Sequence, residues 1–296
     1  MTRPPLFDLA LLDRRRLRAR RLAVAGADVL LRAAADELAA RLYAVSRDFP
    51  VAVDLATPEP VLAAMLPRTG KVGVLHRIDR LAGLGVAAVA DAGALPLRDA
   101  SIDLVVSALG LQWTEDLPGA LIQIRRALRP DGLLLAAVIG GETLSELRRA
   151  LAEAEIEARG GASPRVSPAA ELRDMAGLLQ RAGFALPVAD QERLTLRYDD
   201  AAALMRDLRA MGATNVLTER ARVPLTRGIV ARAAAIYADR FADPDGRVRA
   251  TFDIVWLSGW APHESQQKPL RPGSAKARLA DALGVTEFGA GEKAGR

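Results

Sequence analysis

Ile102-Asp103-Leu104-Val105-Val106-Ser107-Ala108-Leu109-Gly110-Leu111-Gln112-Trp113 is the stretch on which the fold turns. Its apolar residues run together rather than alternating, which marks a strand buried on both faces. A helical pattern from Asp116 to Leu128 follows, then the turn Arg129-Pro130-Asp131-Gly132 and a second apolar run, Leu133 to Ile139. Upstream the same rhythm is already in place. Val51 to Leu55 reads as a strand, Val61 to Leu66 as a helix, and Val72 to Leu75 and Val86 to Ala90 as two further strands. Five apolar strands set among helices predict a doubly wound α/β domain, with helices on both faces of a parallel sheet.

The rhythm changes after Ile139. Helices are expected from Thr143 to about Ala158, and from the Ser167-Pro168 start signal to Ala182-Gly183. Gln191 to Tyr198 and Arg249 to Trp260 alternate as two more strands, with a largely helical stretch from Asp199 to Phe241 between them. That pattern predicts an antiparallel edge carrying a helical cap, and seven strands in all. The expected organisation is an N-terminal helical arm over residues 1–48, including a helix from Val29 to Val45. A single domain over 49–280 with its insertion at 199–241 follows, and a loose tail at 281–296.

Composition narrows the function. A chain of 296 residues that is 50% hydrophobic and 26% charged buries a core and is not disordered. Its longest apolar run, Leu133 to Ile139, is far short of the roughly 20 residues of a membrane span. Cysteine is absent and His76 and His263 are the two histidines, so no metal site is expected. The net charge of +5 rests on 41 basic residues, of which all but Lys71, Lys268, Lys276 and Lys293 are arginine. These are dispersed, and no nucleic-acid partner is expected. The exception is the block Arg14 to Arg21 on the arm, which fits a solvated helix face, an acidic partner or an anionic membrane surface. No apolar segment follows these basic residues as it would in a signal peptide, so the expected location is cytoplasmic, with a peripheral contact at the membrane's inner face open to the arm.

Ligands of open α/β sheets sit at the carboxyl ends of the strands. Those ends are Asp54 with the loop to Pro60, Asp91-Ala92, Ser107 to Trp113, and Gly140-Gly141-Glu142-Thr143. Asp54 suits either a ligand contact or a strand-end carboxylate capping the next helix. Glu142, at a helix start, and the polar cluster His263-Glu264 with Gln266 and Gln267 are the candidate catalytic residues.

The stretch Asp91 to Trp113 with Leu128 to Gly132 resembles class I S-adenosylmethionine-dependent methyltransferases, and its Leu111-Gln112-Trp113 resembles the biotin-pathway enzymes that esterify malonyl carrier protein. Leu6-Phe7-Asp8, Gly140 to Arg148, Leu208 to Gly212 and Gly259 to Gln266 resemble a narrower family on this fold, the mitochondrial complex I assembly factors. That resemblance covers roughly residues 6–280. It implies S-adenosylmethionine as cofactor, held by Asp54, Ala56, Asp91, Ala92, Ser107 and Leu109, with Asp91 on the adenine amino group. It implies a substrate pocket at Trp113, Gly140 and Gly141, and action on an arginine of a complex I subunit, by hydroxylation rather than methylation. The first loop departs from the family pattern, because Ala56, Pro58 and Pro60 stand where three glycines are expected. The second strand is expected to end at His76 or Arg77, leaving no acid for the ribose and placing Asp79 in the next helix. A fold that has lost the cofactor and serves as a non-catalytic assembly factor is the alternative.

Overall fold

The apolar runs form strands β1 (Phe49–Leu55), β2 (Val72–Asp79), β3 (Val86–Val89), β4 (Ile102–Ala108) and β5 (Leu128–Ile139), followed by β6 (Ala185–Tyr198) and β7 (Val248–Trp260). They make one sheet in the order β3-β2-β1-β4-β5-β7-β6. Strands β1 to β5 pair in parallel, and β7 is antiparallel to both β5 and β6, which is the edge expected from the alternating pattern. This computed structural model describes residues 4–169, 171–267 and 284. The stretch 268–280 and the expected loose tail at 281–296 lie outside the described residues, apart from Gly284. The chain divides into two compact units, Met1–Pro262 and His263–Arg296, and the first carries the whole sheet.

Eight helices are described: α1 (Leu9–Leu22), α2 (Val29–Tyr43), α3 (Val61–Met65), α4 (Leu117–Ala127), α5 (Ser145–Arg159), α6 (Leu172–Arg181), α7 (Ala201–Ala210) and α8 (Arg227–Phe241). Their starts follow local chemistry. The carboxylates of Asp8, Asp116 and Asp200 accept the N–H groups of Leu11, Gly119 and Ala203, capping α1, α4 and α7. Helices α2, α5, α7 and α8 cover one face of the sheet, where Leu38, Leu104, Leu147, Leu204, Tyr237 and Trp256 are buried together. Helices α4 and α6 cover the other, around Val105, Leu121, Leu134, Leu179 and Leu257. Leu104 and Val105 thus serve opposite cores from adjacent positions of one strand. The cap between β6 and β7 is α7 and α8, joined by an irregular segment. Among the described residues no helix is long and apolar enough to cross a membrane.

Three expectations need correction. The sixth helix begins at Leu172, not at Ser167, because the segment before it is pinned to α5 by Arg165, whose Nη2 lies 2.5 Å from Oε1 of buried Glu155. The second strand runs on to Asp79, and no helix follows it. Val86 pairs level with Arg77, two residues back from the strand end, so a six-residue loop at 80–85 makes the connection without one. The arginine block lies on α1 but is not a solvated face throughout, since Arg16 is buried.

Leu104 is fully buried at the middle of the sheet. Leu104→Ala is expected to lower the unfolding free energy by about 2–5 kcal/mol in chemical denaturation, the range for emptying such a site.

Candidate functional site

The register of β1 on β2 sets Asp54 beside Arg77. Both are buried, and Arg77 Nε donates to Asp54 Oδ2 at 2.9 Å. The same guanidinium donates to the carbonyl oxygens of Thr57 (2.9 Å) and Leu84 (2.5 Å), tying the first loop to the loop after β2. Burial pushes the Asp54 carboxyl up to about 6, against the opposing pull of Arg77.

At the end of β2, Asp79 is also buried. Its Oδ1 accepts the N–H of Leu81, and its Oδ2 receives Arg16 Nη2 at 2.8 Å. Asp91, after β3, accepts the Gly93 N–H at 2.8 Å and pairs with Arg80, which also binds Asp13. All three carboxylates at this edge of the sheet are therefore held by arginines. Arg16 comes from α1, as does Arg20, and both donate to the Pro58 carbonyl oxygen, with Arg20 also bound to Glu59 at 2.9 Å. The arm is fixed at its start too. The Leu6 and Phe7 N–H groups donate to the Glu115 carboxylate, Phe7 bridges to Leu217, and Asp8 binds Arg220 at 2.9 Å.

So seated, α1 borders a cavity of about 1,100 Å³ whose other walls come from the start of α2, Pro58 and Glu59 of the first loop, residues 109–114, the start of α5, the segment 165–169, the end of α7 and the segment after it. Trp113 lines it and packs edge-to-face on Phe7, with ring centroids 5.4 Å apart. Leu109 also lines it, at a positive φ of 51°. Gly140 and Gly141 do not; Ile139, Thr143 and Leu144 stand in the wall instead. Gly140 donates to the Asp253 carbonyl oxygen, and a Cβ at Gly141 would meet Glu171 Oε1 at 2.6 Å. Glu142 is exposed and outside the wall. Ser107 is sealed within β4 with its hydroxyl lacking a hydrogen-bond partner, and Ala92 is buried in the core. His263 and Glu264 open the second unit, where His263 Nδ1 lies 2.7 Å from Ser265 Oγ and both residues are exposed. Among the described residues no set of three or more histidine, aspartate or glutamate side chains is placed to hold a metal ion.

The residues at the strand ends do not fit S-adenosylmethionine in the pose implied by the family. Asp79 ends β2, where the resemblance calls for an acid and none was expected from the sequence, but Arg16 is bound to it. Ala56 keeps the left-handed backbone that suits glycine, at φ 58°, and its carbonyl oxygen would lie 2.2 Å from a Cβ on Gly110. Beyond it Pro58 and Pro60 have no N–H to offer a carboxylate. The loop instead turns the carbonyl oxygens of Thr57 and Pro58 towards three guanidinium groups.

The arginine-hydroxylase NDUFAF5, mitochondrial, of Danio rerio is 38% identical to this chain over 263 residues, covering 86% of this chain and 82% of the relative. The chain belongs to the NDUFAF5 arginine-hydroxylase family. A methyltransferase-domain family model matches residues 71–136, which run from β2 into β5. The malonyl-[acyl-carrier protein] O-methyltransferase of Xylella fastidiosa is 43% identical over 172 residues, 58% of this chain and 56% of that protein. Among solved structures, the YcgJ protein of Bacillus subtilis superposes with a TM-score of 0.51 at 13% identity, over 76% of this chain and 98% of that one, a likeness of fold. This chain is thus built on the methyltransferase fold, and the crevice at its strand ends is crossed by arginines.

Sequence reasoning singled out Asp54 and Asp91 but missed Arg16, Arg77 and Arg80. One signal was present: Arg77 interrupts an apolar strand at the residue that pairs level with Asp54, and an arginine buried in a strand needs an acid beside it. Two outcomes are expected. Asp54 has a folded-state value near 6 against an ordinary 3.8. Between those values only the folded chain keeps the proton, so this group's contribution falls as pH rises from about 4 to 6 and is flat above. Unfolding free energies across pH should show that downward slope in the wild type relative to Asp54→Asn, on the order of 3 kcal/mol over the window. Arg16→Ala leaves Asp79 buried without a cation; it should cost about 3–5 kcal/mol and speed proteolysis within α1.

Proposed function

We propose that this chain serves the assembly of a respiratory complex I by engaging one of its protein subunits at the cavity beneath α1. The observation that carries this is the breadth of the likeness, which covers 86% of the chain against a relative named as an arginine-hydroxylase. In the catalytic form of this role, a subunit arginine enters the cavity beside Trp113, and the chain modifies it as the relatives' name describes. S-adenosylmethionine enters that form only if Arg16 and Arg20 withdraw from the first loop, because they bind the groups it would approach.

A second form, in which the chain holds its subunit without chemistry, is favoured by one specific observation. Asp54, Asp79 and Asp91 are all neutralised internally, and the two acids in the cavity wall, Asp28 and Glu59, are paired with Arg32 and Arg20. A substrate guanidinium would therefore meet no carboxylate free to bind it.

Calorimetric titration tests the cofactor. Saturable binding of S-adenosylmethionine to the full chain decides for cofactor-dependent catalysis, and no heat up to millimolar ligand decides against it. The assembly role itself is tested by deleting the gene and measuring assembled complex I. Loss restored by the wild type is expected, and an unchanged complex content would sink the proposal. Restoration by Asp91→Ala, checked to be folded, would show that the role needs no cofactor contact at Asp91.

A further inference from the structure

The cavity wall carries eight arginines against two acids: Arg15, Arg16, Arg20, Arg32, Arg165, Arg209, Arg220 and Arg222, with Asp28 and Glu59. Five of the arginines are in ion pairs, Arg16 with Asp79, Arg20 with Glu59, Arg32 with Asp28, Arg165 with Glu155 and Arg220 with Asp8. Arg15, Arg209 and Arg222 have no carboxylate partner among the described residues. Two of these three, Arg15 and Arg209, converge with exposed Arg18 and with Thr214 around a notch of about 210 Å³ that adjoins the main cavity. Among the described residues the Arg15 guanidinium donates to the Asn215 carbonyl oxygen alone. Burial and the charge of Arg220 push its guanidinium down, as happens to a cation that lacks a counterion.

This convergence depends on one close contact. Gly212, at φ +73°, ends α7 flush against α1, where a Cβ would lie 3.2 Å from the Arg16 Cα. That seat brings Arg209 beside Arg15 and Arg18. The last turn of α7 favours a cation at Arg209 by its dipole alone, but that reason does not extend to Arg15 or Arg18, which lie inside α1. Beyond the notch the wall turns apolar, with Val138, Leu147, Leu151, Met205, Leu208 and Phe252. At about 300–1,000 Å³, ligand cavities of this kind hold one small molecule.

We propose that the cavity binds a phosphate-headed amphiphile, its head in the notch of Arg15, Arg18, Arg209 and Thr214 and its apolar tail under α1. Three guanidinium groups and a hydroxyl match the several acceptor oxygens of a phosphate ester. The apolar wall supplies the remaining affinity by taking the tail out of water. The ester is either free or the headgroup of a phospholipid. The proposal does not rest on the assembly role, and its test uses neither subunit nor complex.

Dodecyl phosphate, kept below its micelle concentration, is titrated into the purified full chain by calorimetry. One-to-one saturable binding is expected, with dodecanol and inorganic phosphate each at least tenfold weaker. The variant Arg15→Gln/Arg209→Glu should weaken dodecyl phosphate at least tenfold at an unchanged melting temperature. If that variant does not fold, Arg18→Glu on the surface of α1 decides in its place. Incubation with phosphatidylglycerol vesicles identifies the source. One lipid carried off per chain assigns a phospholipid, and no uptake alongside binding of the free ester assigns a soluble phosphate ester; both uphold the site. The proposal is overturned if dodecyl phosphate binds no better than dodecanol, or equally well to the folded variant. It is also overturned if the chain floats with the vesicles through these arginines yet takes up no dodecyl phosphate.

Discussion

Two neighbouring parallel strands end in carboxylates that water hardly reaches, Asp54 on β1 and Asp79 on β2, and a buried charge persists only with an opposite charge beside it. Arg77 answers the first from within the sheet, and Arg16 answers the second from the N-terminal arm. The difference matters. Because one counterion comes from α1, the arm is part of the sheet's carboxyl edge rather than an appendage. Remove that pairing and the roof of the cavity, the position of the first loop and the seat of α7 on α1 lose their common anchor.

The first loop keeps the tight backbone that suits glycine while presenting acceptors instead of donors. In the family pattern a glycine loop presents N–H groups to an anion. Here Ala56 retains the left-handed turn, and Gly110 retains the close approach that leaves no room for a side chain. Yet the prolines remove donors, and the carbonyl oxygens of Thr57 and Pro58 receive guanidinium groups. A loop that in the family pattern suits an anion here suits cations. The room available for a ligand lies along α1, between the first loop and the end of α7, where much of the wall is apolar and its spare charges are positive.

Much of the fold was legible in the chain because burial on both faces writes itself as continuous apolar runs, as in β4 and β5, and partial burial as alternation, as in β6. The end of β2 was not legible. Val72 to Leu75 is apolar enough to be recognised, but His76, Arg77 and Asp79 look like the polar start of a loop. They belong to the strand because each polar group has a partner: Asp54 for Arg77, Arg16 for Asp79 and solvent for exposed His76. The start of α6 was misplaced for a similar reason, since Ser167-Pro168 carries a sound local signal that the pairing of Arg165 with Glu155 overrides.

Sequence by itself determined the doubly wound sheet, its antiparallel edge, the capped insertion and the loss of the glycine loop. These follow from local periodicity and from the chemistry of single residues. Tertiary structure alone decided what the arginines do. Arg16 and Asp79 are 63 positions apart and Arg15 and Asn215 are 200 apart, and nothing in the spacing of either pair foretells that they meet. An arginine on a helix reads as solvated until the helix is placed. Only the docking of α1 on the sheet turned one part of that block into buried counterions and left another facing a cavity without one.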